Sequence, residues 1–340
     1  MGMLATVINS LALSSALESI GQKVRVYTAT PMHPIGEHYS PARAIDSLQR
    51  GEIAIISGGT GNPFFTTDTA SALRGIEVGA QVMLKGTRVD GIYTADPRVA
   101  PHARKLDVVS YDDMLELSSE GAGVLQSRAV EFARKYKVVI HSRSAFSDEP
   151  GTIVKEVAPN MEHAIITGIA HDTSEMKVTI RGLADEAGMA ARVFALLASN
   201  RVSVDMIIQN ATSGGNANIS FTFPGSQRDL ALAAVDEIAK ELNASEVFVN
   251  EDIAKVSLVG TGMKSSPGVA ARAFKALADN KVNILMISTS PIRISVVVDG
   301  DQVETAVQCL HTEFGLDSDS IFEETQLSAE EIAAKMNKGR

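Results

Sequence analysis

Apolar positions in this chain fall into runs of two kinds, and the two kinds alternate. Leu4, Val7, Ile8, Leu11, Leu13, Leu17 and Ile20 recur mostly at helical spacing and stop at Gly21, which predicts a helix over 3–20. Val24–Thr28 (VRVYT) reads as a short strand, His33–His38 as a loop and Pro41–Arg50 as a helix. Ile53, Ala54, Ile55 and Ile56 form an unbroken apolar run, the pattern of a buried strand. The run breaks at Ser57-Gly58-Gly59-Thr60-Gly61-Asn62-Pro63. A helix then starts near Thr67-Asp68, whose side-chain oxygens can cap the first free N–H groups, and continues to Gly79. Gln81–Lys85 is a further buried strand. Asp112–Leu117 and Val124–Lys135 are helical, Val138–Ser142 is a strand, and Phe146–Thr152 is a turn-rich exit. Strands alternating with helices imply an α/β sheet with parallel pairing.

A repeat begins after residue 170. MKVTIRGLADEAGMAARVFALLASNRVSVDMII matches AKVSLVGTGMKSSPGVAARAFKALADNKVNILMI, pairing Arg192 with Arg272, Phe194 with Phe274 and Met206 with Met286. Self-similarity of this length means two copies of one supersecondary unit. Each copy reads strand, helix, strand, strand, helix, as in a ferredoxin-like split βαβ. The first covers Val178–Gly182, Gly188–Ser199, Val202–Gln209, Ala217–Phe223 and Asp229–Leu242. The second covers Val256–Gly260, Pro267–Asp279, Val282–Ser288, Ile292–Asp299 and Gln302–Phe314. Val247–Asn250 follows the first unit, and Ile165–Ala170 is placed to complete one of the sheets. VSVDMII and VNILMIS leave apolar edges that need cover. In the mixed-charge tail, the run from Ser328 resembles a capping box before a short surface helix.

Composition narrows the class. With 340 residues, 45% hydrophobic and 21% charged, the chain has room for two or three ordinary soluble domains. A single cysteine, Cys309, excludes an internal disulfide and fits a cytoplasmic setting. A net charge of −10 argues against general nucleic-acid binding, and no stretch suits a membrane span.

The strongest chemical signal is the strand, glycine turn and capped helix over Glu52–Ala72. Glycines let the backbone approach a ligand, and a helix start presents N–H groups and partial positive charge, so the unit suits an anion. Three glycines alone are equally a tight turn in any α/β domain. The full string GTGNPFFTTDTA, with MGMLATVIN and LRGIEVGAQVMLK, resembles bacterial uridylate (UMP) kinases of the amino acid kinase superfamily. That resemblance, covering residues 1–98, makes Thr60, Gly61, Asn62, Pro63, Phe64, Phe65, Thr66 and Thr67 the acceptor loop. GTRVDGIYTADPR is similar in UMP kinases and aspartokinases, and implies that Thr87 and Tyr93 face ATP in either family. Asp96 matches an ATP contact of the former and Arg98 one of the latter.

From Lys105 onward the chain resembles aspartokinases. The similarity runs through KLDVVSYDDMLELSSEGAGVLQSRAVEFARKYKVVIHSRSAFSDEPGT and then the repeat, which looks like their tandem ACT domains. The implied architecture is α/β. A partial amino acid kinase (carbamate kinase-like) domain spans 1–155, and two ferredoxin-like βαββαβ ACT domains span 165–250 and 251–316. A tail fills 317–340. By resemblance, an effector amino acid, lysine or threonine, meets Asp185, Ala190, Asp205 and Gln209 from the first ACT unit. Val269, Ala270, Asn283, Ile284 and Ser290 meet it from the second, with Asp205 on its ammonium group. The ACT domains would also form a homodimer. Gly123 stands where many aspartokinases have lysine, and Pro291 where many have glutamate.

The resemblance implies ATP with Mg2+, no protein-held metal, and transfer of the γ-phosphate to the β-carboxylate of aspartate. That reaction opens lysine, threonine and methionine biosynthesis, here under feedback control. Two alternatives stay open: a UMP kinase making ADP and UDP, and a non-catalytic subunit that binds lysine or threonine. Amino acid kinases open with a lysine-bearing glycine loop that does not occur in 1–340, so the expectation is weak turnover by this chain alone and no assigned catalytic residue.

Overall fold

The computed structural model describes residues 1–157, 165–212 and 214–318. The expected tail helix around Ser328 lies outside the described residues. The chain forms two units. Among the described residues, one holds 1–92 and 105–157, and the other holds 93–104 and 165–318.

In chain order the first part contains α1 (Gly2–Ser19), β1 (Val24–Thr28), β2 (Glu37–His38), α2 (Pro41–Gln49), β3 (Ile53–Ser57), α3 (Thr67–Glu77), β4 (Val82–Thr87) and β5 (Ile92–Tyr93). It continues through β6 (Lys105–Leu106), β7 (Val108–Ser110), α4 (Tyr111–Ser119), α5 (Ser127–Tyr136), β8 (Val139–Ser144) and β9 (Thr152–Lys155). Strands β2, β1 and β3 form a parallel sheet in that order, with Val24 opposite Ile53 and Thr28 opposite Ser57. Strands β4, β8, β9 and β7 form a second sheet, parallel except between β8 and β9.

Two expectations change here. The loop at 33–38 carries the short strand β2. The exit after Phe146 does not simply leave: β9 turns back and pairs antiparallel with β8, with Ile140 opposite Val154. Thr152 fastens that return, accepting from Ile92 N at 2.8 Å and donating to the Leu106 carbonyl at 2.6 Å. Helix α1 is apolar on all sides. Ser10 and Ser14 are buried with Val7, while Leu4, Ile8 and Leu13 are exposed. Such a helix has no single apolar stripe by which sequence could orient it.

The second part contains β10 (Gly168–Asp172), β11 (Glu175–Ala184), α6 (Met189–Ser199), β12 (Ile207–Thr212), β13 (Asn216–Pro224), α7 (Arg228–Glu241) and β14 (Glu246–Asn250). Then come β15 (Ile253–Val259), α8 (Val269–Asp279), β16 (Met286–Ser290), β17 (Arg293–Asp299) and α9 (Val303–Glu313). The sheets run β12-β13-β11-β14 and β10-β15-β17-β16. The repeat thus folds as two equivalent sheets, and β10, which precedes the first copy, completes the second by pairing antiparallel with β15. Strands β12 and β16 are the edges foreseen from the two apolar runs. Pairing starts later than the sequence suggests, at Ile207 and Met286. Val202 and Val282 instead sink into the cores beneath the helices.

Alternating inward residues of β11 and β13 (Val178, Ile180, Ile219, Phe221, Phe223) meet Val193, Leu197, Val235 and Ile238 from α6 and α7. Each such side chain contributes on the order of 1.5–3 kcal/mol when fully buried. The second core has the same plan around Val256, Leu258, Val296, Leu277 and Leu310, and it also takes in Ala95 and Ala100 from the segment 93–104.

Candidate active and effector sites

The glycine turn follows β3. Gly58, Gly59 and Gly61 have φ of +79°, +63° and +79°, a left-handed path that side chains resist. Ala29 packs so close that a Cβ on Gly58 would sit 3.2 Å from its Cβ. Gly61 N closes the turn on the Gly58 carbonyl at 3.1 Å, and Gly58 N donates to Thr6 Oγ1 at 2.9 Å. Thr60 Oγ1 accepts from Asn62 N. Phe64 (φ +67°) is 95% exposed, and Phe65 lies with its ring 5.8 Å from the Arg128 guanidinium.

The cap of α3 is Thr66, which accepts from Thr69 N, and not Thr67 or Asp68. Asp68 does something else. Its carboxylate binds Lys85 Nζ from β4 at 2.5 Å and accepts from Gln126 N at 3.2 Å. Gln126 Oε1 in turn accepts from Thr69 Oγ1 at 3.2 Å and caps α5. The glycine turn and Lys85 therefore stand near the carboxyl ends of β3 and β4, where α/β sheets place ligands. Sequence reasoning missed Lys85, because QVMLK reads only as a buried strand. Lys105 is taken by Asp90 at 3.4 Å and Glu149 at 3.3 Å. Burial opposes its charge, but these partners outweigh that and hold it protonated.

Of the residues assigned to ATP by resemblance, Thr87 ends β4 in the first unit, whereas Tyr93, Asp96 and Arg98 belong to the second. Asp96 accepts from Arg98 N at 2.9 Å and from its guanidinium at 2.6 Å, which holds the carboxyl below its usual range.

In the second ACT unit, Val269, Ala270 and Ser290 do converge. With Met263, Lys264, Ser266, Gly268, Thr289, Pro291 and Ile294 they line a pocket of about 400 Å³ at the start of α8. Gly268 (φ +93°) is the N-cap and supplies no side-chain acceptor, as Gly188 (φ +95°) does at α6. At α6 the first N–H, that of Met189, donates to the Glu186 carbonyl at 3.2 Å, whereas at α8 the Val269 N–H has no acceptor among the described residues and is open to a ligand. Asn283 and Ile284 stand elsewhere: Asn283 N donates to Gln302 Oε1, and Ile284 packs against the core.

Asp185, Asp205 and Gln209 are exposed on the first ACT unit. The Asp205 carboxylate meets Lys255 Nζ of the second ACT unit at 2.5 Å, so its charge is already compensated within the chain. Lys255, 3% exposed, also meets Glu175 at 3.0 Å. Burial pushes the Glu175 carboxyl up. Burial opposes ionisation of Asp205 too, but the Lys255 ammonium outweighs it and holds that carboxyl down.

Residues 1–142 match the amino acid kinase family, and residues 178–238 and 256–314 match the ACT domain. Glycine turn, capped helix and paired sheets thus define an amino acid kinase domain joined to two ACT domains. The aspartokinase of Mycolicibacterium smegmatis is 41% identical over 346 residues, covering 94% of this chain and 82% of that protein. That of Thermus thermophilus is 40% identical over 289 residues, covering 82% and 71%. The chain belongs to the aspartokinase family. A match across 94% of the chain includes most of the stretch that resembles UMP kinases. Among solved structures, Clostridium acetobutylicum aspartate kinase superposes with a TM-score of 0.73 at 23% identity, covering 92% of this chain and 75% of that one. Escherichia coli aspartokinase III, in complex with aspartate and ADP, superposes at 0.69 and 23%, covering 91% and 73%. At that identity they speak for the fold.

Proposed function

We propose that the first unit transfers the γ-phosphate of ATP to the β-carboxylate of aspartate. The observation that carries this reading is the glycine turn with the capped start of α3 and Lys85, set near the carboxyl ends of β3 and β4 in a chain of the aspartokinase family. The Gly59 and Thr60 N–H groups, which have no acceptor among the described residues, bind an anionic acceptor. Lys85, oriented by Asp68, adds positive charge for a phosphate. Mg2+ enters on the nucleotide phosphates, the usual arrangement for this small, reluctantly dehydrated cation.

Calorimetry and ADP release on 1–340, with aspartate or UMP as acceptor, test this. Aspartate-dependent binding and turnover are expected. Saturable binding of UMP in place of aspartate would transfer the site to the second reading, which GTGNPFFTTDTA favours. Lys85→Met is expected to cut turnover by roughly 10²–10³, the scale for losing one preorganised donor.

The pocket at α8 serves as the effector site of the second ACT unit. Threonine suits it better than lysine, because its lining offers a cation, Lys264, and hydroxyls, but no carboxylate for a second ammonium group. A ligand selective for the folded state at a hundredfold excess over Kd stabilises it by about 2.7 kcal/mol. Threonine is therefore expected to raise the thermal midpoint, with lysine much less effective. Replacing Gly268 by valine, at a φ that valine rejects, is expected to abolish the shift.

A further inference from the structure

Arg74 lies in the last turn of α3, fifteen residues from the glycine turn, yet its guanidinium reaches back to it. Nη2 donates to the Gly59 carbonyl at 3.2 Å. Nη1 pairs with Glu77 Oε2 at 2.7 Å, and the group lies 4.1 Å from the centroid of the Tyr39 ring. The same Glu77 oxygen accepts from the Tyr39 hydroxyl at 2.8 Å, and Tyr39 meets Tyr27 edge-on at 6.2 Å. The contacts close into a brace that fixes the guanidinium against rotation, and the Arg74 side chain is only 14% exposed. Its Nε is buried without a partner. A surface ion pair between helix positions i and i+3 would need none of this.

The turn needs an outside clamp. Gly58 and Gly59 both lack a side chain and both have positive φ, so the peptides around them have little intrinsic preference. In a trans peptide the C=O and N–H point in opposite directions. Holding the Gly59 oxygen toward Arg74 therefore turns the Thr60 N–H away from it. That N–H has no acceptor among the described residues, whereas Gly61 N and Asn62 N are both used.

We propose that Arg74 is a positioning residue for phosphoryl transfer: by gripping the Gly59 carbonyl it presents the Thr60 N–H to a carboxylate oxygen of the acceptor. The acceptor's identity rests on the aspartate reading above; the grip on the turn does not. Arg74→Lys separates this role from a helical one. A lysine keeps the ion pair with Glu77 and the charge at the helix C-terminus, but one ammonium cannot hold Glu77 and Gly59 together in this geometry.

The test compares wild type, Arg74→Lys, Arg74→Ala and Tyr39→Phe by calorimetry with aspartate and with ATP, and by hydrogen exchange across 58–66. The expected result for Arg74→Lys is aspartate affinity reduced roughly five- to tenfold, the scale of one lost hydrogen bond. Its ATP affinity and thermal midpoint should stay at the wild-type values, with faster exchange at 58–62. Tyr39→Phe, which keeps the ring under the guanidinium, should show a smaller change in the same direction. Wild-type aspartate affinity in Arg74→Lys, or equal losses for ATP and aspartate, overturns the proposal. If wild type binds no aspartate, the acceptor reading fails. Exchange then decides the brace alone: acceleration confined to 58–62 supports it, and unchanged exchange overturns it.

Discussion

Two carboxylates, Glu175 on β11 and Asp205 just before β12, meet one buried ammonium at Lys255. A single cation cannot fully compensate both in a site this dry, and the two carboxyls respond differently. Asp205, partly in water, keeps its charge. Glu175, at 7% exposure, is pushed by burial toward its protonated form. A carboxyl with a raised folded pKa stabilises most at low pH, and its contribution is lost as pH rises from the unfolded value through the folded one. Removing the ammonium exaggerates this. Lys255→Met is expected to lose about 3–5 kcal/mol in urea unfolding at pH 7, the scale for breaking a buried pair from one side. The loss should shrink as pH falls and Glu175, already pushed up by burial, accepts a proton. Glu175→Gln combined with Lys255→Met should recover most of it, and an additive double-mutant cycle would show the two to be uncoupled. Such residues are hard to find from sequence. Lys255 and Glu175 are 80 positions apart, and Lys255 sits in a strand that is buried along its whole length.

Helix α9 carries a titrating contact of its own. His311 is 2% exposed and shares a hydrogen bond of 2.9 Å with Thr94 Oγ1. Burial pulls its pKa below 6.5, and the charges of Arg104 and His102 act in the same direction, against Asp317. For a base with a depressed folded pKa, stability is present above the unfolded value and is lost as pH falls below it. Melting of the full chain should therefore show an added acid-side decline beginning near pH 6.5 that His311→Gln removes. An unchanged pH profile in that variant would assign the decline elsewhere. At this scale the sequence was informative wherever a pattern repeated. Both ACT copies show the helix, the two inward-alternating strands and the glycine start of α6 and α8. It was less informative where tertiary context decides. Residues 202–206 have strand composition but feed the core before pairing starts, and β9 hides in a stretch rich in turn residues because its pairing partner, β8, is set by the sheet.

Across the whole chain, the family and the order of domains were legible because long strings match, and the candidate site was legible only in part. The glycine turn announces itself through residue types that tolerate positive φ. Arg74, Tyr39 and Lys85 do not, because each becomes meaningful only when segments 15–35 residues apart are brought together.

The segment 93–104 has a further consequence, for inheritance. It leaves the first unit at Ile92, gives Ala95 and Ala100 to the second ACT core, and binds there through Thr94 and through the Val99 carbonyl, which accepts from Gln308 Nε2 at 2.8 Å. It rejoins the first unit at Lys105. The polypeptide thus crosses between the units three times. A recombination event placed anywhere between residues 105 and 165 looks like a clean exchange of regulatory halves. It would in fact pair the incoming ACT domains with a 93–104 segment from the other parent. Chimeras joined there are expected to melt lower than either parent, and to recover when 93–104 is exchanged along with the regulatory half. The tolerated unit of exchange in this chain is two pieces of sequence that must travel together.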